Sequence, residues 1–191
     1  MKLRIEQDRR LYRVALSSPE TRNVIDAEGC RDLLREFRAA EADESVGAIL
    51  LEADGHIFCA DCEPDEALMS IGRNIAKPII AAVHGIVLSG GLALTANAHV
   101  VVAAQGTSFG LTDIREGRWS EAFADAIGHA IGERRALELA LSGRIFSTPE
   151  ALAWGLVHHV APAFELEDRA MEVATGIANA NPEAIRAMLK I

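Results

Sequence analysis

Residues 81–94 read Ala81-Ala82-Val83-His84-Gly85-Ile86-Val87-Leu88-Ser89-Gly90-Gly91-Leu92-Ala93-Leu94. The apolar run 78–83 is typical of a strand buried on both faces, and Gly90 opens a predicted helix after a short loop. Unpaired backbone N–H groups and the helix dipole at such a start favour negative charge. The stretch is not a phosphate-binding P-loop, because Gly91 and Leu92 stand where Lys and Ser or Thr are needed.

The segments on either side alternate strand, loop and helix before helices take over. Apolar periodicity and capping residues predict the elements. The predicted strands cover residues 3–7, 11–16, 46–51, 78–83, 99–104 and 157–160. The predicted helices cover residues 27–40, 120–131, 133–141, 148 to about 155 and 165–180. Three further helices are predicted to begin at Pro64, Gly90 and Pro182.

Charge and hydropathy exclude several classes of function. The chain has 191 residues, with 19 basic against 28 acidic residues and a formal charge of −9, so it would repel the phosphate backbone of a nucleic acid. Neither an apolar signal segment at the N-terminus nor a run long enough for a membrane span is visible. We therefore expect a cytoplasmic protein whose partner is a small molecule and neither nucleic acid nor membrane.

The chain has three cysteines, Cys30, Cys59 and Cys62, which cannot all pair with one another because their number is odd, and we expect thiols. With His56, the last two form the pattern His-x-x-Cys-x-x-Cys. A zinc site would need a fourth ligand, and a redox motif would need a thioredoxin-like context. Neither is visible, so the sequence predicts no metal site.

Several motifs in a fixed order resemble the crotonase (enoyl-CoA hydratase/isomerase) family. Each motif is weak alone, but the combination, at these intervals, is specific. The motifs are SPETRN at 18–23, FCADC at 58–62, KPIIAAVHG at 77–85, SGG at 89–91, SFG at 108–110, LSGR at 141–144 and EALAWGLV at 150–157.

The resemblance implies an α/β fold in which repeated β-β-α units wind as a spiral. Residues 1–160 would form the spiral core, and residues 161–191 would form a C-terminal helical segment that is shortened relative to the family. The family's pattern also implies a homo-oligomer, either a trimer or a hexamer.

The resemblance also implies a substrate and a binding site. The substrate would be an acyl-CoA thioester, with no separate cofactor, and its carbonyl oxygen would lie in an oxyanion hole formed by the backbone N–H groups of Cys62 and Gly90. Gly90→Pro would then abolish activity by removing a donor N–H, and Gly90→Ala would be milder than that if the backbone there has a negative φ. The positions that match the family's CoA-contacting segments are Arg22, Val24, Ala60 and Asp61.

The departures from the family decide which reaction is expected. A hydratase of this family uses two glutamates, and the matching positions here are Ala93 and Asp113, while Glu121 matches a later position where isomerases carry a single acid. Asp61 replaces the usual glycine of the first loop and adds a charge near the expected oxyanion. The sequence thus favours double-bond isomerisation with Glu121 as the acid/base.

Other interpretations stay open from the sequence. Asp113 and Glu121 together could support hydration or thioester hydrolysis, and a chain that has lost its acids could be a non-catalytic acyl-CoA-binding subunit. Glu121 could also serve only the dipole of the helix that follows Ser120. Asp113 could simply pair with Arg115 or Arg118.

Overall fold

The computed structural model describes residues 1–189, which form nine strands and seven α-helices. Short 3-10 turns link several of these elements. The strands are β1 (Leu3–Asp8), β2 (Leu11–Leu16), β3 (Ala48–Ala53), β4 (Ile79–Val83), β5 (Ile86–Leu88), β6 (Val100–Ala104), β7 (Ser108–Gly110), β8 (Ile145–Ser147) and β9 (His159–Ala161). The helices are α1 (Ala27–Ala42), α2 (Gly90–Ala96), α3 (Glu121–Ile131), α4 (Glu133–Ser142), α5 (Thr148–Ala153), α6 (Leu166–Ala178) and α7 (Pro182–Met188).

The strands form two sheets. In the larger sheet the order is β1-β2-β3-β4-β6-β9, and only the β1–β2 pair is antiparallel. In the smaller sheet the order is β5-β7-β8. The units β4-β5-α2 and β6-β7-α3 each send one strand to each sheet and then a helix, which agrees with the predicted α/β class and its β-β-α repeat.

Both faces of the larger sheet are buried. Alternate residues of its parallel strands point to opposite faces. Ile49, Leu51 and Ala81 belong to the main core, which α1 and α3 also enter. The other face packs against α6 in a second cluster of buried residues, namely Leu11, Ala48, Leu50, Ile80, Ala82, Val102, Ala104, Leu166, Ala170, Ala174 and Ala178.

The end of α6 is pressed against the start of β3. A Cβ atom on Gly47 would lie 2.1 Å from the carbonyl oxygen of Ala178, so only glycine fits there. Arg10 Nε donates to the same carbonyl at 2.9 Å. The predicted C-terminal segment therefore begins with a helix that completes the burial of the sheet.

The prediction of a helix opened by Pro64 is wrong. Residues 66–70 form turns, followed by a 3-10 helix at Ile71–Asn74. Asp65 Oδ1 accepts the Leu68 N–H at 2.8 Å, which favours a turn, and Asn97 Nδ2 donates to the Met69 carbonyl at 2.7 Å and withdraws it from a helical ladder. The long-range partner Asn97 could not be seen in the local pattern.

The remaining predicted elements are present with shifted ends. The first buried strand covers Ala48–Ala53 where 46–51 was predicted, and the short return to the sheet covers His159–Ala161 where 157–160 was predicted. Ser120 caps α3 by accepting the Phe123 N–H at 3.3 Å. Within residues 1–189, none of the helices has the length and apolar character needed to cross a bilayer.

Candidate active site

Two neighbours hold the loop 58–63 in place. On one side, the Ile25 N–H donates to the Asp61 carbonyl at 3.0 Å and the Glu63 N–H donates to the Ile25 carbonyl at 2.8 Å. On the other side, the Leu88 N–H donates to the Cys59 carbonyl at 3.1 Å. The Cys62 N–H takes no part in these bridges and is left to point towards the start of α2.

The backbone N–H groups of Cys62 and Gly90, here called the donor pair, converge on one oxygen. Cys62 N–H donates to Asp61 Oδ1 at 2.9 Å, and Gly90 N–H reaches the same oxygen at 3.4 Å. Gly90 is the first residue of α2, so its N–H is free of the helical ladder. The structure thus brings together three of the predicted site residues around a single negative oxygen.

The approach of Gly90 to Cys62 leaves no room for a side chain. A Cβ atom on Gly90 would lie 2.4 Å from Cys62 Cβ and 2.6 Å from the Cys62 backbone nitrogen. Gly90 is absent from the positions with positive φ, so its backbone conformation would permit alanine, but the added Cβ would clash with the fixed backbone of Cys62. Glycine is needed here for proximity.

Arg118 connects the donor pair to a second carboxylate. Its Nη2 lies 2.8 Å from Asp61 Oδ2, 3.1 Å from Glu116 Oε2 and 3.7 Å from Asp113 Oδ1. The hydrogen bond to Asp61 is the main cause that raises the pKa of Arg118 above its usual value. Asp61 and Asp113 therefore share one guanidinium nitrogen, although 52 positions of sequence separate them.

Asp113 is buried next to Arg118 with one oxygen unsatisfied. Only 4% of the residue is exposed, and Oδ2 has no hydrogen-bond partner within the part of the chain that the structure describes. The preceding residue, Thr112, contacts Ser89 through their hydroxyl oxygens at 3.2 Å, and Ser89 directly precedes Gly90. This contact ties the 3-10 turn that starts at Asp113 to the start of α2.

Glu121 lies in a different environment. It is the first residue of α3 and is exposed, and among residues 1–189 its carboxylate makes no hydrogen bond or ion pair. It lines a cleft of about 330 Å³ together with Met69 and Arg73. The structure therefore does not join Glu121 to the cluster of Asp61, Asp113 and Arg118.

The residues matched to the family's CoA-contacting segments lie next to one another. Arg22 is exposed with a φ of 57°, and its carbonyl accepts the Ala60 N–H at 3.1 Å. Val24 is half-buried. Asn23, fully buried between them, donates from its amide to the carbonyls of Asp54 and Ile57 and so fixes the path of the chain that leads to Asp61.

The three cysteines are buried thiols. Cys59 Sγ donates to the Asn23 carbonyl, and burial raises the pKa of its thiol to about 12. Cys30 and Cys62 contact each other through their sulfur atoms at 3.5 Å. In residues 1–189 no cluster of three or more side chains could hold a metal ion, and Cys59 and Cys62 use their sulfurs on neighbouring carbonyls and thiols.

Sequence reasoning missed two contacts of this site. Arg118 was considered only as a partner of Asp113, and its ion pair with Asp61 spans 57 positions. The sequence also gives no signal that Cys30, which lies 32 positions from Cys62 and outside the donor pair, touches the Cys62 sulfur. No local signal encodes either contact, since both depend on how loops that are distant in sequence meet.

Comparisons with known proteins give consistent matches. Residues 62–191 match the sequence profile described as Enoyl-CoA hydratase/isomerase. The mevalonyl-coenzyme A hydratase of Aspergillus fumigatus is 30% identical over 195 residues, covering 93% of this chain and 72% of that protein. The (E)-benzylidenesuccinyl-CoA hydratase of Thauera aromatica is 29% identical, covering 98% of this chain and 80% of that protein.

Solved structures match over nearly the whole chain. An enoyl-CoA hydratase from Bacillus anthracis superposes with a TM-score of 0.91 at 25% identity, covering 100% of this chain and 81% of that one. An enoyl-CoA hydratase from Mycobacterium avium superposes with a TM-score of 0.86 at 26% identity, covering 98% of this chain and 85% of that one.

Proposed function

Because this chain belongs to the enoyl-CoA hydratase/isomerase family, we propose that it stabilises the enolate of an acyl-CoA thioester and shifts a double bond in an enoyl-CoA. Membership of the family and the crotonase fold, both predicted from the sequence, are confirmed by the matches to hydratases of that fold. The CoA thioester is the substrate, and we propose no separate cofactor.

The observation that carries this proposal is the convergence of the donor pair on Asp61 Oδ1. Removal of a proton beside a thioester places negative charge on the carbonyl oxygen. Two fixed N–H groups that already hold a carboxylate oxygen have the geometry to hold that charge, and loss of one such donor typically costs about 3–4 kcal/mol of transition-state stabilisation. This arrangement needs no catalytic side chain at Cys62 or Gly90.

A bound thioester must take the place of Asp61 Oδ1. Asp61 Oδ2 pairs with Arg118, whose side chain is 46% exposed, so the carboxylate can turn away from the donor pair and keep its cation. Glu116 and Asp113 contact the same guanidinium nitrogen, at 3.1 Å and 3.7 Å. In this proposal Asp61, paired with Arg118, is the resting occupant of the donor pair: its Oδ1 accepts the two N–H groups when no substrate is bound.

Asp113 is the better placed acid/base of the two predicted. It is buried, Oδ2 has no partner within residues 1–189, and it shares Arg118 with the residue that occupies the donor pair. An allylic shift needs one group that removes a proton from one carbon and returns it to another. Glu121, exposed on the cleft that Met69 and Arg73 also line, stays the second candidate.

Hydration is a second candidate reaction, favoured by the relatives that are named hydratases. It would need one group for water and usually a second for the proton that reaches the α-carbon. Ala93 is fully buried and offers no such group, so Asp113 would have to act with Glu121. Thioester hydrolysis would likewise need Asp113 and Glu121 to act together.

The CoA moiety would lie along the segments 22–24 and 60–61. Arg22 is exposed and forms no ion pair with the residues that the structure describes, so its guanidinium is available to a phosphate group. Val24, Ala60 and the backbone of Asp61 form the adjoining surface. We propose this surface for the nucleotide and the pantetheine arm of an acyl-CoA, in a cytoplasmic homo-oligomer.

A panel of short, medium and aromatic 2-enoyl- and 3-enoyl-CoAs tests the proposal by product analysis. We expect conversion of 3-enoyl to 2-enoyl thioesters with little water addition. Efficient hydration of crotonyl-CoA without any action on 3-enoyl-CoA would replace isomerisation by hydration. Binding of acyl-CoA in calorimetry without turnover would instead indicate a binding subunit, and no binding at all would remove the proposal.

A further inference from the structure

We propose that Cys30 and Cys62 are a modification site: a peroxide converts the two thiols into a reversible disulfide that displaces one N–H group of the donor pair. The formation of the disulfide does not depend on the proposed function. Its effect on turnover rests on the proposed function, because the donor pair matters only if a thioester oxygen binds there.

The two sulfur atoms already touch. Cys30 Sγ and Cys62 Sγ are 3.5 Å apart, and both also contact the Glu63 carbonyl, at 3.5 Å and 3.3 Å. A disulfide has an S–S length of about 2.05 Å, so the sulfurs must approach by about 1.5 Å. Side-chain rotation supplies part of that movement, and the loop that carries Cys62 supplies the rest.

The backbone keeps the two residues together. Ile25 pairs with Cys62 as an isolated parallel bridge, and the chain then continues through the N-cap Asp26 into α1. Asp26 Oδ1 accepts the Gly29 N–H at 2.7 Å, which fixes the first turn of the helix and therefore the position of Cys30. The proximity of the thiols is thus a consequence of two local hydrogen-bonded structures and is not an accident of side-chain placement.

The pair differs chemically from the third cysteine. The hydrogen bond between the two thiols lowers the pKa of Cys30, and the same bond together with burial raises the pKa of Cys62. Cys30 is therefore the sulfur that ionises first and attacks an oxidant. Burial raises the pKa of Cys59 to about 12, and its single S–H lies within hydrogen-bond distance of two backbone carbonyls, so it stays reduced.

The reaction balances with one peroxide. The Cys30 thiolate attacks one peroxide oxygen, the O–O bond breaks, and the sulfenic acid and hydroxide are formed; the hydroxide takes up the proton that the Cys30 thiol had lost and leaves as water. The Cys62 sulfur then attacks the sulfenic sulfur, the S–S bond forms, and a second water leaves. Both thiols are buried, but hydrogen peroxide is close to water in size, and the residues that follow Cys62, Glu63 and Pro64, are exposed.

When Cys30 Sγ and Cys62 Sγ come closer together, the loop 58–63 that carries Cys62 has to move. Cys62 N–H lies 2.9 Å from the oxygen it holds, and Gly90 sits against Cys62 with no free space. A shift of Cys62 towards α1 therefore draws its N–H away from the position that Gly90 defines. Because the loss of one oxyanion donor lowers kcat by about a hundredfold or more, even partial displacement should lower turnover at least about tenfold.

The test is oxidation of the whole protein with hydrogen peroxide, followed by peptide mapping without reduction. We expect one linked pair of peptides that contains Cys30 and Cys62, with the loss of two hydrogen atoms. Turnover of the enoyl-CoA substrate should fall about tenfold or more and return after treatment with dithiothreitol. Cys30→Ala should keep its basal turnover and show neither the link nor the reversible loss.

Cys59→Ala is the matched control, since it removes a buried thiol of the same loop and should still form the link. Sulfinic acid on either residue without a linked peptide, or a link that contains Cys59, would overturn the modification site. A clean Cys30–Cys62 link with unchanged turnover and unchanged acetyl-CoA affinity would overturn its effect on the donor pair. If the protein turns over no enoyl-CoA, the mapping still decides the disulfide independently of the proposed function.

Discussion

Asp61 sends its two carboxylate oxygens to different partners, Oδ1 to the donor pair and Oδ2 to Arg118. In the free protein, Asp61 Oδ1 therefore occupies the position where we propose that the thioester carbonyl oxygen becomes negatively charged. A thioester oxygen must compete with this internal carboxylate. Substrate affinity is therefore expected to be set partly by the strength of the two N–H contacts that Asp61 gives up.

Asp61→Ala should tighten the binding of acetyl-CoA by about tenfold or more. Hydrogen bonds to a charged group are worth about 1.5–3 kcal/mol each, and 1.4 kcal/mol is a factor of ten in affinity. Calorimetry measures the change. Glu116→Gln is the matched control, because it also removes an acid from Arg118 but does not reach the donor pair. Weaker binding by Asp61→Ala would contradict the view of Asp61 as a resting occupant.

Asp113→Asn should lower kcat by about a hundredfold or more while leaving thioester affinity nearly unchanged. The amide cannot carry the proton, and the donor pair remains. Glu121→Gln is the comparison and should have the smaller effect, since Glu121 is exposed and is not among the carboxylates that contact Arg118. Steady-state kinetics on the preferred enoyl-CoA rank the two variants. The reverse ranking would assign the proton transfer to Glu121, as the resemblance alone implies.

At the scale of the element, the start of α2 can approach Cys62 closely because its first residue, Gly90, has no side chain. Gly90→Ala should destabilise the protein and abolish turnover, because the added Cβ would lie 2.6 Å from the Cys62 nitrogen and force the donor pair apart. Gly176→Ala is the matched control: it lies in α6 with no atom within 4 Å of the added Cβ, and should be neutral or stabilising by up to about 1 kcal/mol. Urea unfolding and kinetics on both variants give the comparison.

The residue just before β6, His99, is a titratable group that contacts the first residue of β4. His99 Nδ1 accepts the Ile79 N–H at 2.9 Å, and burial lowers the pKa of its ring below the usual 6.5. The unfolded chain therefore binds a proton more readily than the folded one. The contribution of His99 to the free energy of unfolding should be complete above about pH 6.5 and fall as the pH drops towards the folded pKa.

Urea unfolding at about pH 7.5 and about pH 5.5 measures how the free energy of unfolding depends on pH, since these two values lie on opposite sides of the ordinary histidine pKa. His99→Asn should show a smaller difference between the two conditions than the parent. An equal difference in both proteins would assign the acid sensitivity to other groups.

Local patterns predicted most elements because burial on two faces requires apolar runs, as in β4 and β6, and because an amphipathic stripe such as that of α1 is visible in one segment. They failed at Pro64, where Asn97 diverts the Met69 carbonyl. The donor pair was predicted by resemblance. The Asp61–Arg118 pair and the Cys30–Cys62 contact were not, since each joins residues far apart in sequence.

At the scale of the whole molecule, large apolar side chains remain exposed. Trp119 and Leu137, 61% and 55% exposed, line one groove of about 550 Å³. We expect self-association as a trimer or hexamer to cover such surfaces. Light scattering at micromolar concentration gives the mass, and Leu137→Lys should lower it. A monomeric parent protein would contradict the expectation.

The packing of α6 on the sheet has a consequence for biosynthesis. On the ribosome, β2, β3, β4 and β6 are made before α6, and the sheet face that carries Leu50, Ile80 and Val102 has no cover until residues 166–178 emerge. A nascent chain with that face open presents apolar strands to other chains and to chaperones. The yield of native protein should therefore depend on how quickly translation completes α6 after the last strand of the sheet.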